Sequence, residues 1–301
     1  MKVIPKKLEK GDKIGILSTA RKISKQELKP AIELIKKWGY EPVLGKSIDA
    51  GLHQFAGSKI LRAEDLQNFI DDREIKAILC ARGGYGTVRI IDDIDFNNLK
   101  KYPKWIIGYS DVTVLHNQLN NINIASLHAT MPINFPKDKQ DNASTNSLKK
   151  VLAGEKIYYK VENSHKLNRE GTAQAELVGG NLSIIYSLLG SKSSISTKDK
   201  ILFLEDLDEY LYHIDRMMIN LKRNHLLDNL AGLIIGGMSS MNDNTIAYGK
   251  NAYEIIQEHI QEFEYPVLFN FNAGHIEPNL ALKLGTKLTL KVDETSSLIF
   301  D

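Results

Sequence analysis

Residues 104–116 read Lys-Trp-Ile-Ile-Gly-Tyr-Ser-Asp-Val-Thr-Val-Leu-His, an apolar run Trp105–Gly108 that suits a buried strand and, just past Ser110, an amphipathic helical pattern. A strand that feeds directly into a helix is the repeating unit of a parallel sheet. The sharp turn between the two lifts the Ser110 hydroxyl to the top of that sheet, against the free N–H groups and positive end of the helix. Two roles suit a serine there: a nucleophile, or a helix N-cap, since Ser and Asp are both favoured caps.

Outward from this stretch the alternation repeats. Lys13–Leu17 is a buried strand pattern, and Lys25 to Trp38 has helical spacing through Leu28, Ile32 and Ile35, closed by Gly39. Pro42–Leu44 is a second strand, Ala63 to Asp71 a helix carrying Leu66, Phe69 and Ile70, and Ala77–Ala81 a third strand. This α/β pattern predicts a parallel sheet covered by helices on both faces, with functional loops at the carboxyl ends of its strands. Residues 136–150 are polar and turn-rich, which suits a linker or a solvated helix start, so we read 1–135 as an N-terminal α/β domain, 136–165 as a linker region and 166–301 as a smaller mixed α/β domain. In that second half Ile201–Leu204 and Gly232–Ile235 are strand patterns, and Ile214, Met217, Met218 and Leu221 mark a helix. Leu280, Leu282 and Leu284, then Leu288, Leu290 and Val292 across Gly285-Thr286, predict an antiparallel hairpin.

Composition narrows the partners. The 301 residues are 43% hydrophobic and 25% charged, a globular balance, and 39 Lys and Arg against 37 Asp and Glu leave a net charge of +2. That gives no electrostatic footprint for nucleic acid or for an anionic membrane surface, so small ligands are expected. The first ten residues lack the apolar core of a signal peptide and no stretch approaches the roughly 18 apolar residues of a membrane span, which points to a cytoplasmic protein. Cys80, alone of its kind, lies in a strand pattern, where a small apolar role is expected rather than a nucleophile. There is no H-E-x-x-H pair or Cys/His cluster for a metal and no Walker loop, and Arg89 stands where Gly83-Gly84-x-Gly86 would need its last glycine to match a dinucleotide fingerprint. No metal and no cofactor are expected.

If Ser110 is a nucleophile, it needs a base, and the base needs a carboxylate to fix its tautomer. Of eight histidines, His275 stands at a strand end after Val267–Phe269, His116 lies in the helix after Ser110, and His128 sits in Ser126-Leu-His-Ala-Thr. Glu205 ends the apolar run Ile201–Leu204, ahead of Asp206, Asp208 and Glu209, and a carboxylate desolvated there suits an imidazolium partner. Gly83 and Gly84, after the third strand, let the backbone approach a bound group, and with the amide of Asp111 they offer donors for an oxyanion. Asn181, after Gly179-Gly180, is a candidate for substrate contact, and Arg216 for a substrate carboxylate or an ion pair.

The succession Phe55-Ala-Gly-Ser58, Arg62-Ala-Glu-Asp-Leu66, Ala81-Arg-Gly-Gly-Tyr-Gly86, Gly108-Tyr-Ser-Asp111, Val178-Gly-Gly-Asn-Leu-Ser183, Leu202-Phe-Leu-Glu205, Ile214-Asp-Arg216 and Gly274-His275 resembles the LD-carboxypeptidase family of serine peptidases. The resemblance covers nearly the whole chain. It implies a flavodoxin-like or amidotransferase-like N-terminal domain, a triad falling on Ser110, Glu205 and His275, homodimers, and no cofactor; we expect the oxyanion hole on Gly84 and Asp111, with Gly83 and Asn181 at the substrate. The implied reaction removes terminal D-alanine from muropeptide tetrapeptides recovered into the cytoplasm. The related microcin C immunity peptidases, which share the triad, cleave an amide to an adenylate mimic. Two features depart from related patterns: Leu17-Ser-Thr-Ala20 replaces an Ala-Pro-Ser-like turn, and Val112 stands where an α/β-hydrolase elbow has Gly.

Overall fold

Five strands alternate with helices through the first half of the computed structural model, which describes residues 2–161 and 164–300. They are Lys13–Leu17 (β1), Lys25–Lys37 (α1), Glu41–Leu44 (β2), Lys59–Asp71 (α2), Ile75–Cys80 (β3), Asn97–Lys101 (α3), Trp105–Gly108 (β4), Thr113–Asn121 (α4) and Ser126–His128 (β5). All five strands pair in parallel, in the order β2-β1-β3-β4-β5. This is the flavodoxin-like order, whose ligand crevice opens at the carboxyl ends of β1 and β3, where successive crossovers leave in opposite directions. Helices are placed by their caps: Ser24 closes a capping box with Glu27 at α1, and the Ser58 side chain accepts from Leu61 N–H at α2.

The second half comprises Ala143–Leu152 (α5), Tyr158–Lys160 (β6), Gly171–Asn181 (β7), Leu182–Leu188 (α6), Ile201–Leu207 (β8), Leu211–Arg223 (α7), Gly232–Ser239 (β9), Ala252–Ile260 (α8), Val267–Leu268 (β10), Leu282–Leu284 (β11), Lys287–Val292 (β12) and Ser297–Phe300 (β13). A seven-stranded mixed sheet runs β10-β9-β8-β7-β12-β13-β6. One apolar core, including Ile16, Leu79, Ile107 and Phe203, is shared between the two sheets. A second, around Leu66, Ile78 and Leu115, fills the other face of the first sheet, and a third, around Leu202, Met217 and Ile255, lies under α6, α7 and α8.

One expectation is corrected. The alternating runs near the end do not form a hairpin: β11 pairs antiparallel with β5 at the edge of the first sheet, whereas β12 pairs with β7 and β13 in the second. Period-two alternation defines which face is buried, not which strand is the partner, and here the chain crosses between sheets at Gly285. The 136–165 stretch, read as a linker or helix start, holds α5 and β6. Its polar residues Asn142 and Thr145 form the capping box of α5, which buries Leu148, Val151 and Leu152 in the shared core, and β6 adds an edge to the second sheet.

Candidate active site

Ser110 lies where the sequence placed it, between β4 and α4, with φ at +63°. This left-handed conformation costs an L residue about 1–2 kcal/mol, and it turns the side chain out of the sheet. The hydroxyl caps nothing: neither the 3₁₀ turn Ser110–Val112 nor α4 has a side-chain cap. Asp111, the other favoured cap type in this turn, is no cap of its own helix either. Its buried carboxylate accepts the N–H of Thr87 (2.8 Å), tying the glycine loop after β3 to the serine turn. Burial raises the pKa of Asp111, against bonds to Thr87 and Gly86 that lower it. Removing that carboxylate by Asp111→Ala strands the buried Thr87 N–H and is expected to cost about 1–3 kcal/mol, read from the midpoint of a urea transition at unchanged slope.

Gly83 shows how close the loop comes. A Cβ built on it would stand 3.0 Å from Ser110 Cβ, 3.1 Å from Ser110 Oγ and 3.5 Å from Asp111 N. The space beside Gly83 is therefore bounded by the hydroxyl and by an amide donor. Buried Arg62 braces the loop from behind, donating to Thr19 O and to Gly86 O (2.9 Å).

Glu205 and His275 meet. His275 Nδ1–H donates to Glu205 Oε2 at 2.7 Å, and the His275 backbone N–H donates to the same oxygen at 3.1 Å. Glu205 has no exposed surface. It sits where the β8–β9 register slips between Leu204 and Asp206, an irregularity that re-aims side chains at strand ends. Close approach also decides residue 274: a Cβ on Gly274 would fall 2.6 Å from Glu205 Oε2. The histidine loop is held from α5, since Ser144 Oγ donates to Glu277 (2.9 Å) and accepts from Asn279 N–H (2.8 Å), while Asn279 Oδ1 accepts from Gly274 N–H (2.9 Å). Burial pulls the imidazole pKa down, but the hydrogen bond and charge of Glu205, helped by Asp206, outweigh it and leave His275 above its usual 6.5. Asp206 itself is pushed up to about 7, by burial first and by the Glu205 charge second.

The ring of Tyr109, the residue before Ser110, packs against His275 with centroids 4.8 Å apart, joining the two halves of the site. Its hydroxyl accepts from Asn134 Nδ2 (2.6 Å). The role of Tyr109 was not read from the sequence, where it is one more apolar residue at a strand end. The other candidate histidines are internal. His116 Nε2–H donates to Gly108 O (2.9 Å) while Nδ1 accepts from Ser126 (2.8 Å), and burial lowers its pKa to about 4. Buried His128 stands edge-on to Phe203.

Asn181, the candidate for substrate contact, is engaged inside the protein. It is 4% exposed; Nδ2 donates to Asp206 (2.9 Å), Oδ1 accepts from Ile184 N–H as the cap of α6, and its backbone N–H donates to Thr113 Oγ1 of α4 (3.0 Å). Arg216 lies over the Tyr212 ring at 5.2 Å. Burial pushes the Cys80 thiol up to about 12, consistent with an inert core residue. Among the described residues, no group of three or more His, Cys, Asp and Glu could hold a metal ion, and no helix is long and apolar enough to cross a membrane.

A serine on a strained strand-to-helix turn, with a His–carboxylate pair across a shared tyrosine and amides beside the hydroxyl, defines a serine-type hydrolase on an α/β fold. The family model described as the LD-carboxypeptidase N-terminal domain matches residues 14–129, and that of the C-terminal domain matches residues 174–290. The chain belongs to the LD-carboxypeptidase family and is a serine-type carboxypeptidase. It is 33% identical to the probable murein peptide carboxypeptidase of Bacillus subtilis, over 98% of this chain and 93% of that one. It is 25% identical to the microcin C7 self-immunity protein MccF of Escherichia coli, over 94% of this chain and 91% of that one. Among solved structures, muramoyltetrapeptide carboxypeptidase from Oxalobacter formigenes superposes with a TM-score of 0.88 at 23% identity, covering 96% of this chain and 98% of the other.

Proposed function

We propose that this carboxypeptidase cleaves the bond between an L-configured centre and the terminal D-alanine of muropeptide tetrapeptides, with Ser110 as nucleophile, His275 as base and Glu205 as its orienting acid. The observation that carries the assignment is the 2.7 Å bond from His275 Nδ1–H to a fully buried Glu205. It fixes the tautomer that leaves Nε2 to accept the Ser110 proton. The serine oxygen attacks the carbonyl, and amides of Gly84 and Asp111 hold the oxyanion. His275 then protonates the departing D-alanine nitrogen, and in the second half activates water to release the peptide acid. The family resemblance extends this reading to the cytoplasm and to a homodimer.

The space beside Gly83 is where that oxyanion would form. Gly83→Ala fills it with a methyl group and is expected to lower kcat by about 100- to 1,000-fold, the usual worth of an oxyanion donor. Steady-state kinetics alongside a thermal melt separate this from loss of fold.

The function itself is tested by incubating the protein with a muramoyl tetrapeptide, the matching pentapeptide and an aminoacyl sulfamoyl-adenylate, and following products by mass spectrometry. Release of D-alanine from the tetrapeptide alone supports the reading. Cleavage of the adenylate mimic alone overturns it in favour of the immunity-type reaction, for which the match to MccF speaks.

A further inference from the structure

We infer that Arg21 reads the terminal carboxylate of the substrate and so makes this site a carboxypeptidase; the inference rests on the proposed function above. A peptidase that removes only the last residue must recognise the free acid beyond the scissile bond, and a guanidinium does so through two parallel N–H donors. Three observations select Arg21.

The first is topology. In a sheet ordered β2-β1-β3-β4-β5 the ligand crevice lies between the loops that follow β1 and β3. Arg21 is in the loop after β1, and Gly83 and Gly84 are in the loop after β3. The second is contact. A Cβ built on Gly84 would fall 2.6 Å from Arg21 Cδ and 2.9 Å from its Nε, so the arginine stem lies directly on the residue after Gly83, which itself borders Ser110 Oγ. Gly84 has φ +111°, and both its conformation and its missing side chain admit the arginine. The third is availability. Among the described residues the Arg21 side chain has no hydrogen-bond or ion-pair partner and is exposed, whereas its backbone is fixed: its carbonyl accepts from Ser18 Oγ at 2.6 Å and it bridges to Phe55.

The neighbouring arginines are occupied. Buried Arg62 donates to Thr19 O and Gly86 O, Arg82 donates to Lys22 O (3.3 Å), and Arg89 lies over the Phe55 ring at 5.0 Å. A fixed backbone thus carries an unpartnered guanidinium beside the amides proposed for the oxyanion, within reach of an anion bound there.

The test compares two substrates that differ only at the end: the muramoyl tetrapeptide finishing in D-alanine with a free carboxylate, and the same muramoyl tetrapeptide finishing in D-alaninamide. The wild-type protein should favour the acid in kcat/KM by about 10- to 100-fold, the worth of one charge-assisted contact. Arg21→Gln should erase that preference by slowing the acid while leaving the amide unchanged, and Arg21→Lys should keep part of it. If Arg21→Gln keeps the full preference, or if the wild type shows none, Arg21 is not the reader, although D-alanine release would still uphold the proposed function. If the wild type cleaves neither peptide, the proposed function falls and the inference with it.

Discussion

Exchange of Ser110 for alanine is expected to reduce D-alanine release to the level set by the binding site alone, about a million-fold below the wild-type kcat, while leaving the unfolding midpoint in place. The second half of this expectation distinguishes the two roles open to the serine. A capping serine contributes about 0.5–2 kcal/mol, which alanine would remove. Here the hydroxyl has no hydrogen bond among the described residues and caps neither helical segment that follows it, so alanine takes nothing from the fold. Ser110→Gly should be equally inactive yet more stable, by about 1 kcal/mol, because glycine adopts φ +63° without the Cβ conflict. Denaturant titration of the three proteins, with tetrapeptide turnover measured on each, checks both parts. A variant that keeps activity removes Ser110 as the nucleophile, and one that keeps activity but loses stability restores the cap.

The line between what was legible and what was not runs along sequence separation. Strand-helix alternation is local, so β1, α1, β3 and β4 could be read from runs of a few residues, and the parallel sheet followed from crossover rules. The pairing of Leu282–Leu284 with Ser126–His128 spans more than half the chain, and no local pattern announces it. The same holds within the site. Ser110 and Glu205 stand at the ends of apolar runs and are visible one at a time, but a loop histidine becomes a base only through the carboxylate it meets. Tyr109 and Ser144, which join and hold the two halves, carry no signal that separates them from other strand-end and helix-start residues. The partners of Asn181 were not legible either. A polar residue after two glycines looks like a ligand contact, yet burial and three bonds spend it on bracing Asp206, α6 and α4. Candidate chemistry was readable where residue type limits the choice, and the partners that satisfy a buried polar group were not.

Glu205→Gln should lower kcat by about 1,000- to 10,000-fold and move the acidic limb of kcat/KM to lower pH. The rate loss arises because a neutral amide can no longer fix the Nδ1–H tautomer or stabilise the imidazolium that forms when His275 takes the serine proton. The direction of the pH shift follows from which form is active. In the proposed mechanism neutral His275 is the base, so the rate falls as pH drops through its pKa. In the wild type that pKa lies above 6.5, because the hydrogen bond and charge of Glu205 exceed the opposing effect of burial. Glutamine deletes the charge and leaves the burial, so the limb should move to lower pH. Asp206 keeps the movement from being larger: it also raises His275, it remains in the variant, and losing the charge of its neighbour lowers its own pKa from about 7, so it stays ionised further into acid. Rates from pH 4.5 to 9 on both proteins read the limb, and NMR of the imidazole protons follows His275 itself. A limb that stays in place while kcat falls would show that Glu205 orients the imidazole without setting its charge. A variant with wild-type kcat would take Glu205 out of the triad and leave the buried Asp206, the carboxylate beside it on β8, as the acid to test next.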